Sequence, residues 1–180
     1  MKKIALFLSV VFLFSACTST KDMSSSRAEN RKLKKLAEQA DVKKAIESRK
    51  YIIKVNRLYA GGGIFDLIPT SNFVIINGEI ASISLGYMGR SFGSHRITGI
   101  NLNGHAINYK MESNETKGGY KIQMAVTYGS DKFDVYLTIG NGGSCNISID
   151  NAYIQSVYYT GTLIPLTASN NVSNEKGNRM

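Results

Sequence analysis

From Tyr51 onward the apolar residues recur at every second position, and that period commits the chain to strands. YIIKVNRLY (51–59) sets Tyr51, Ile53 and Val55 against Ile52, Lys54 and Asn56. NFVIING (72–78) ends in Asn77-Gly78, two residues that tolerate positive φ and so turn a hairpin, and EIASISLGY (79–87) returns from it. HAINYKM (105–111) follows a glycine-bearing connection. YKIQMAVTY (120–128) places Tyr120, Ile122, Met124, Val126 and Tyr128 on one face; KFDVYLTIG (132–140) does the same with Phe133, Val135, Leu137 and Ile139. Asn141-Gly142-Gly143 turns into SCNISID (144–150), and YIQSVYYTGTLIPL (153–166) reads as the last strand.

About eight such strands with no helix between them predict a mainly β domain over 51–167, an antiparallel meander with one dry face and one wet. Both prolines, Pro69 and Pro165, fall near strand ends, where a missing amide does no harm. A meander of this size must hide its two edges. Closure into a barrel removes them, which favours a barrel over a two-sheet sandwich with the same signature.

The chain in front of that domain has a different character. Residues 1–16 are a signal peptide: Lys2 and Lys3, then an apolar run from Ile4, then small residues. The run is too short to span a bilayer, which takes about 20 apolar residues. Phe14-Ser15-Ala16-Cys17 resembles the lipobox of bacterial lipoproteins, so Cys17 is the expected lipidation site and the first residue of the mature chain. The expected address is the bacterial cell envelope, anchored by lipid in the outer membrane, with the periplasmic or surface face left open.

Residues 17–26 are polar and serine-rich, as a flexible tether would be, and 27–50 form a basic helical segment. Ser26 and Glu29 have capping-box spacing, which predicts the helix start. Leu33, Leu36, Ala37 and Ala40 make one weak stripe; Val42 and Ile46 leave it, predicting a kink or restart at Asp41. The tail 168–180 is polar and without aromatics, hence expected to be disordered.

Net charge is +9, falling to about +7 once the signal is removed. Much of it sits in 27–50, where each cation near an anionic membrane surface adds about 1 kcal/mol. An exported protein is not expected to meet nucleic acid, the other habitual partner of a basic patch. With Cys17 a thioether, Cys145 has no disulfide partner; the alternation Cys145, Ile147, Ile149 predicts a buried small hydrophobe.

Several words in the strand region resemble a lipoprotein family common in Bacteroidetes that carries domain of unknown function 4251. They are Tyr51-Ile52-Ile53-Lys54-Val55, Ser71-Asn72-Phe73 leading to Asn77-Gly78-Glu79, Lys117-Gly118-Gly119-Tyr120 and Tyr158-Tyr159-Thr160-Gly161. The most specific is Gly86-Tyr87-Met88-Gly89-Arg90-Ser91. The resemblance covers roughly 30–165, implies an envelope lipoprotein with a lipocalin-like barrel, and carries no activity and no functional residues with it. The loop after Arg90 (SFGSHRITGINLNG) departs from the family's usual pattern.

Few residues suggest chemistry. Gly61-Gly62-Gly63 lacks the Gly-Lys-Ser/Thr ending of a phosphate loop and precedes strand-like Ile64-Phe65, so it reads as a flexible connection. Tyr87 and Arg90 stand at a strand end, where the arginine either forks onto a ligand anion or pairs with Asp66 or Glu79. His95 and His105 with Cys145 are too few and too scattered for zinc, and no catalytic triad or converging carboxylate pair is visible. No metal and no cofactor are expected. Ten tyrosines suit recognition of a glycan, peptide or protein, but tyrosine is also a good strand former.

The expectation is a non-catalytic, lipid-anchored binding module for a small amphipathic ligand, a glycan or an envelope protein. The alternative is a structural or assembly role through the basic helix; an enzyme built around Arg90 and His95 comes third. A hollow barrel would point to a small ligand, a filled one to recognition at the surface.

Overall fold

The computed structural model describes residues 22–89, 99–114 and 118–167. Cys17, the expected signal peptide (1–16), Arg90, His95 and the tail 168–180 therefore lie outside the described residues. The chain divides into two units, Met1–Ala37 and Glu38–Met180, and one helix, α1 (Asp22–Glu47), begins in the first and ends in the second.

In the first unit, residues 27–37 are exposed throughout, Leu33 and Leu36 included. The helix starts earlier than its capping box and takes in 22–26, part of the expected tether. A cap is worth only about 1 kcal/mol and marks one start among several. Nor does α1 break at Asp41. Val42, Ala45 and Ile46, all buried, recur at i, i+3 and i+4, so an unbroken helix supplies their stripe without a restart. These three belong to the core of the second unit, with Val42 lying against the Gly143 backbone.

Among the described residues the second unit forms nine strands: β1 (Lys50–Ala60), β2 (Gly63–Asp66), β3 (Phe73–Asn77), β4 (Ile80–Gly86), β5 (Gly99–Ser113), β6 (Tyr120–Tyr128), β7 (Asp131–Ile139), β8 (Ser144–Asn151) and β9 (Ile154–Pro165). The sheet runs β2-β1-β3-β4-β5-β6-β7-β8-β9, every pairing is antiparallel, and β9 returns to pair with β1. β2 and β3 share one edge of β1, β2 on Arg57–Ala60 and β3 on Lys50–Lys54. The barrel is therefore closed with eight strands around, as favoured, and the sandwich is excluded.

A bulge makes the shared edge possible. Val55 faces Gly161 and Arg57 faces Thr160, leaving Asn56 as the extra residue. The inward set changes parity there: Tyr51, Ile53 and Val55 precede the bulge, Leu58 follows it, and all four are fully buried. At the same point the partner on the other edge changes, with the Val55 amide donating to Asn72 and the Asn56 carbonyl accepting from Leu67.

The interior is filled by apolar side chains from β1 and β3 to β9, together with Val42, Ala45 and Ile46 of α1, in one continuous cluster. That suits eight strands, whose lumen is just wide enough for side chains. Where α1 enters β1, hereafter the helix end, Arg49 takes a left-handed conformation (φ 52°) and lays its guanidinium 4.3 Å over the Tyr109 ring. The Tyr51 and Tyr109 hydroxyls meet at 3.3 Å. Burial, with the Tyr109 phenol beside it, pushes Tyr51 well above its usual pKa.

Cys145 is buried as predicted, and desolvation raises its thiol from 9.0 to about 12. Burial likewise raises Tyr51, Tyr87, Tyr109 and Tyr159. All five hold their protons more tightly folded than unfolded. Stability is therefore fully present below their unfolded values, about 9 to 10, and is lost as pH rises beyond them. Two results are expected: melting temperature falls above about pH 9, and iodoacetamide at pH 8 modifies Cys145 only in denaturant, as mass spectrometry will read.

Candidate functional site

Opposite the helix end lies the rim formed by the β1–β2 turn, the segment after β2, the end of β4 and the β8–β9 turn. Gly61 (φ 59°) and Gly62 (φ 81°) both have positive φ, which makes this a tight two-residue hairpin turn in place of the flexible connection expected. The strand-like Ile64-Phe65 lies in β2, a ninth strand beside the eight expected.

The Gly-Tyr-Met-Gly word supplies the floor of the rim. The buried Tyr87 donates its hydroxyl to the Gln155 carbonyl at 3.2 Å, and Tyr159 donates to the Gly86 carbonyl at 3.0 Å. Two phenols thus tie β4 to β9 across the barrel, and burial keeps both protonated as donors. Gly89 lies so close to the Tyr87 ring that a Cβ would sit 2.5 Å from the phenol oxygen. Asn72, the one buried polar residue among those described, accepts from the Gly86 amide at 2.7 Å and donates to the Ile68 carbonyl at 3.0 Å. It pins the segment after β2 to the end of β4. Its role is invisible in sequence because its partner lies 14 residues away.

Above this floor is a recess of about 370 Å3, lined by the β1–β2 hairpin from Tyr59 to Ile64, by Gly89, and by Gln155–Tyr158 of β9. Ile64, Tyr59 and Tyr158 are direct cross-strand neighbours over β2, β1 and β9. Ile64 and Tyr158 are 64% and 60% exposed, a large fraction for side chains of this size in a protein with a filled core. Phe65, Ile68, Met88 and Tyr153 add further exposed apolar surface at the same end. Recognition surfaces are where such patches collect.

Of the residues singled out in the sequence, Tyr87 is here but buried beneath the recess, and Arg90 follows Gly89 outside the described residues. Asp66, one carboxylate considered for Arg90, is 3.3 Å from Arg57, an exposed pair of little energetic weight. His105 is exposed on β5, Asp134 pairs with Lys132 at 3.2 Å, and no three metal-ligating side chains converge among the described residues. The tyrosines divide by role: Tyr51, Tyr87 and Tyr159 are core, while Tyr128, Tyr136, Tyr153 and Tyr158 are exposed.

The profile of a family described as Domain of unknown function (DUF4251) matches residues 33–163. A crystal structure of a DUF4251 family protein from Bacteroides eggerthii DSM 20697 superimposes with a TM-score of 0.64 at 18% identity. The alignment covers 80% of this chain and 96% of that one, a likeness of fold. No curated protein matches the chain.

Proposed function

The chain belongs to the DUF4251 family, and on that premise we propose that it is a non-catalytic binding module of the bacterial envelope, lipid-anchored through Cys17, that takes its partner on the far rim of the barrel. One observation carries the reading: a filled interior beneath an exposed apolar rim with Tyr158, Tyr59 and Ile64 in one row. Apolar side chains packed through the barrel favour a ligand, be it small molecule, glycan or protein, met from outside rather than held within. The recess offers apolar faces, phenol hydroxyls and backbone groups, the means of recognition rather than of acid–base catalysis.

The test is a thermal-shift panel of envelope lipids, glycans and peptides. At about 100 times its Kd a ligand stabilises by about 2.7 kcal/mol, a rise of several degrees. At least one class is expected to give that rise, and a variant combining Ile64→Ser with Tyr158→Ala is expected to lose it while melting as before without ligand. No shift from any class, or a shift the variant retains, would refute the rim as the binding site.

A further inference from the structure

We infer that the rim's partner is an extended polypeptide segment that pairs with the free edge of β2, an inference that rests on the rim reading and specifies its chemistry. In the closed barrel every other strand is paired on both sides, whereas β2 pairs only with β1 among the described residues. The direction of its backbone groups follows from the hairpin. A two-residue turn closes on a bonded pair, here Ala60 and Gly63, and bonded and non-bonded pairs then alternate. Leu58 and Phe65 form the next bonded pair and Asn56 and Leu67 the one after; the Leu67 amide indeed donates to the Asn56 carbonyl at 2.8 Å. Ile64 and Asp66 therefore point their amides and carbonyls away from β1, toward the free edge.

Four backbone groups in a row, without a strand partner among the described residues, ask for a complementary backbone, which an extended peptide brings and a lipid or a simple glycan does not. The side chains agree. Ile64 continues the row of Tyr59 and Tyr158 on one face of the hairpin, and Phe65 lies on the other face, where Leu58 is. Both are exposed, so successive side chains of an added strand would meet an apolar neighbour on either face.

The probe is a displayed library of random linear octapeptides, selected against the folded protein, followed by amide exchange read by NMR. Without peptide, the Ile64 and Asp66 amides should exchange freely while those of Phe65 and Leu67 are protected. A selected peptide should slow Ile64 and Asp66 at least about tenfold. N-methylating alternate residues of that peptide should weaken binding about tenfold in one of the two registers. Ile64→Pro, which removes an outward amide together with the isoleucine side chain, should weaken it further than Ile64→Ala, which removes the side chain alone. The peptide arm stands even if that variant fails to fold. A peptide that binds and leaves Ile64 and Asp66 unprotected would refute strand addition while leaving the rim reading intact. So would a library that yields no binder, because the lipid and glycan arms of the thermal-shift panel judge the rim separately.

Discussion

Gly161→Ala is expected to cost about 3 kcal/mol, close to 10 °C in melting temperature for a domain of this size. Gly161 lies on β9 at the seam that closes the barrel, facing Val55 on one side and Cys145 on the other. A Cβ there would press into the Lys54 carbonyl oxygen and come within 3.1 Å of the Lys54 carbonyl carbon and Val55 Cα. These are backbone atoms of a strand bonded on both edges, so they cannot swing aside as a side chain would. The seam must open or the bulge at Asn56 must shift. Gly62→Ala is the control: it occupies a left-handed turn with nothing within 4 Å, so it should cost only the backbone strain of about 1 kcal/mol. Equal melting of the two variants, by differential scanning calorimetry, would contradict the close approach of β1 and β9.

The second large effect is expected at the other end of the chain. On the proposed anchoring, Cys17→Ala should leave the β domain folded, with an unchanged melting temperature, and move the protein from the membrane fraction to the soluble one. One acyl chain gives only marginal, reversible membrane attachment and two give stable anchoring. A lipoprotein-type cysteine carries more than one, so its loss should be close to all-or-none. The basic residues of 27–50 would add electrostatic attraction of about 1 kcal/mol each, which salt screens. A high-salt wash therefore isolates the lipid contribution. A variant that still pellets with membranes after that wash would overturn the lipobox reading.

The closed meander was legible because a strand with one dry face writes its period into the sequence. Val135, Leu137 and Ile139, and Cys145, Ile147 and Ile149, are buried where alternation put them. What alternation cannot carry is a change of phase. The extra residue at Asn56 hides Leu58 behind an apparent mismatch and, with it, the fork at which β1 changes partner. β2 is hard to count for a different reason: Ile64-Phe65 look strand-like, but four residues beginning with glycine are too short for a period. In the helix the error runs the other way, since Val42 and Ile46 look like a break when read against the stripe before them.

The site was legible only in part. Gly86-Tyr87-Met88-Gly89 stood out as a word, but its use depends on Gln155 and Tyr159, some 70 residues on, and nothing local reveals a bond of that span. Tyr87, a possible ligand contact by sequence, is a buried brace whose hydroxyl bonds the Gln155 carbonyl. Tyr158 and Ile64 carry that surface, and neither differs in sequence from the tyrosines and isoleucines of the core.

The fork at β1 also bears on how the chain comes together. β1 is bonded to β2, β3 and β9, and the last of these is separated from it by about a hundred residues of chain. Contacts so distant in sequence carry a loop-closure cost before they return any stabilisation, so barrels sealed in this way fold slowly. During synthesis β1 emerges first among the strands and its sealing partner last. Until then Tyr51, Ile53, Val55 and Leu58 have half a barrel to pack against and one open edge, the state in which such chains aggregate or need a chaperone. The neighbours β2 and β3, both close in sequence, cover the opposite edge early and leave a single seam exposed through most of the chain's assembly.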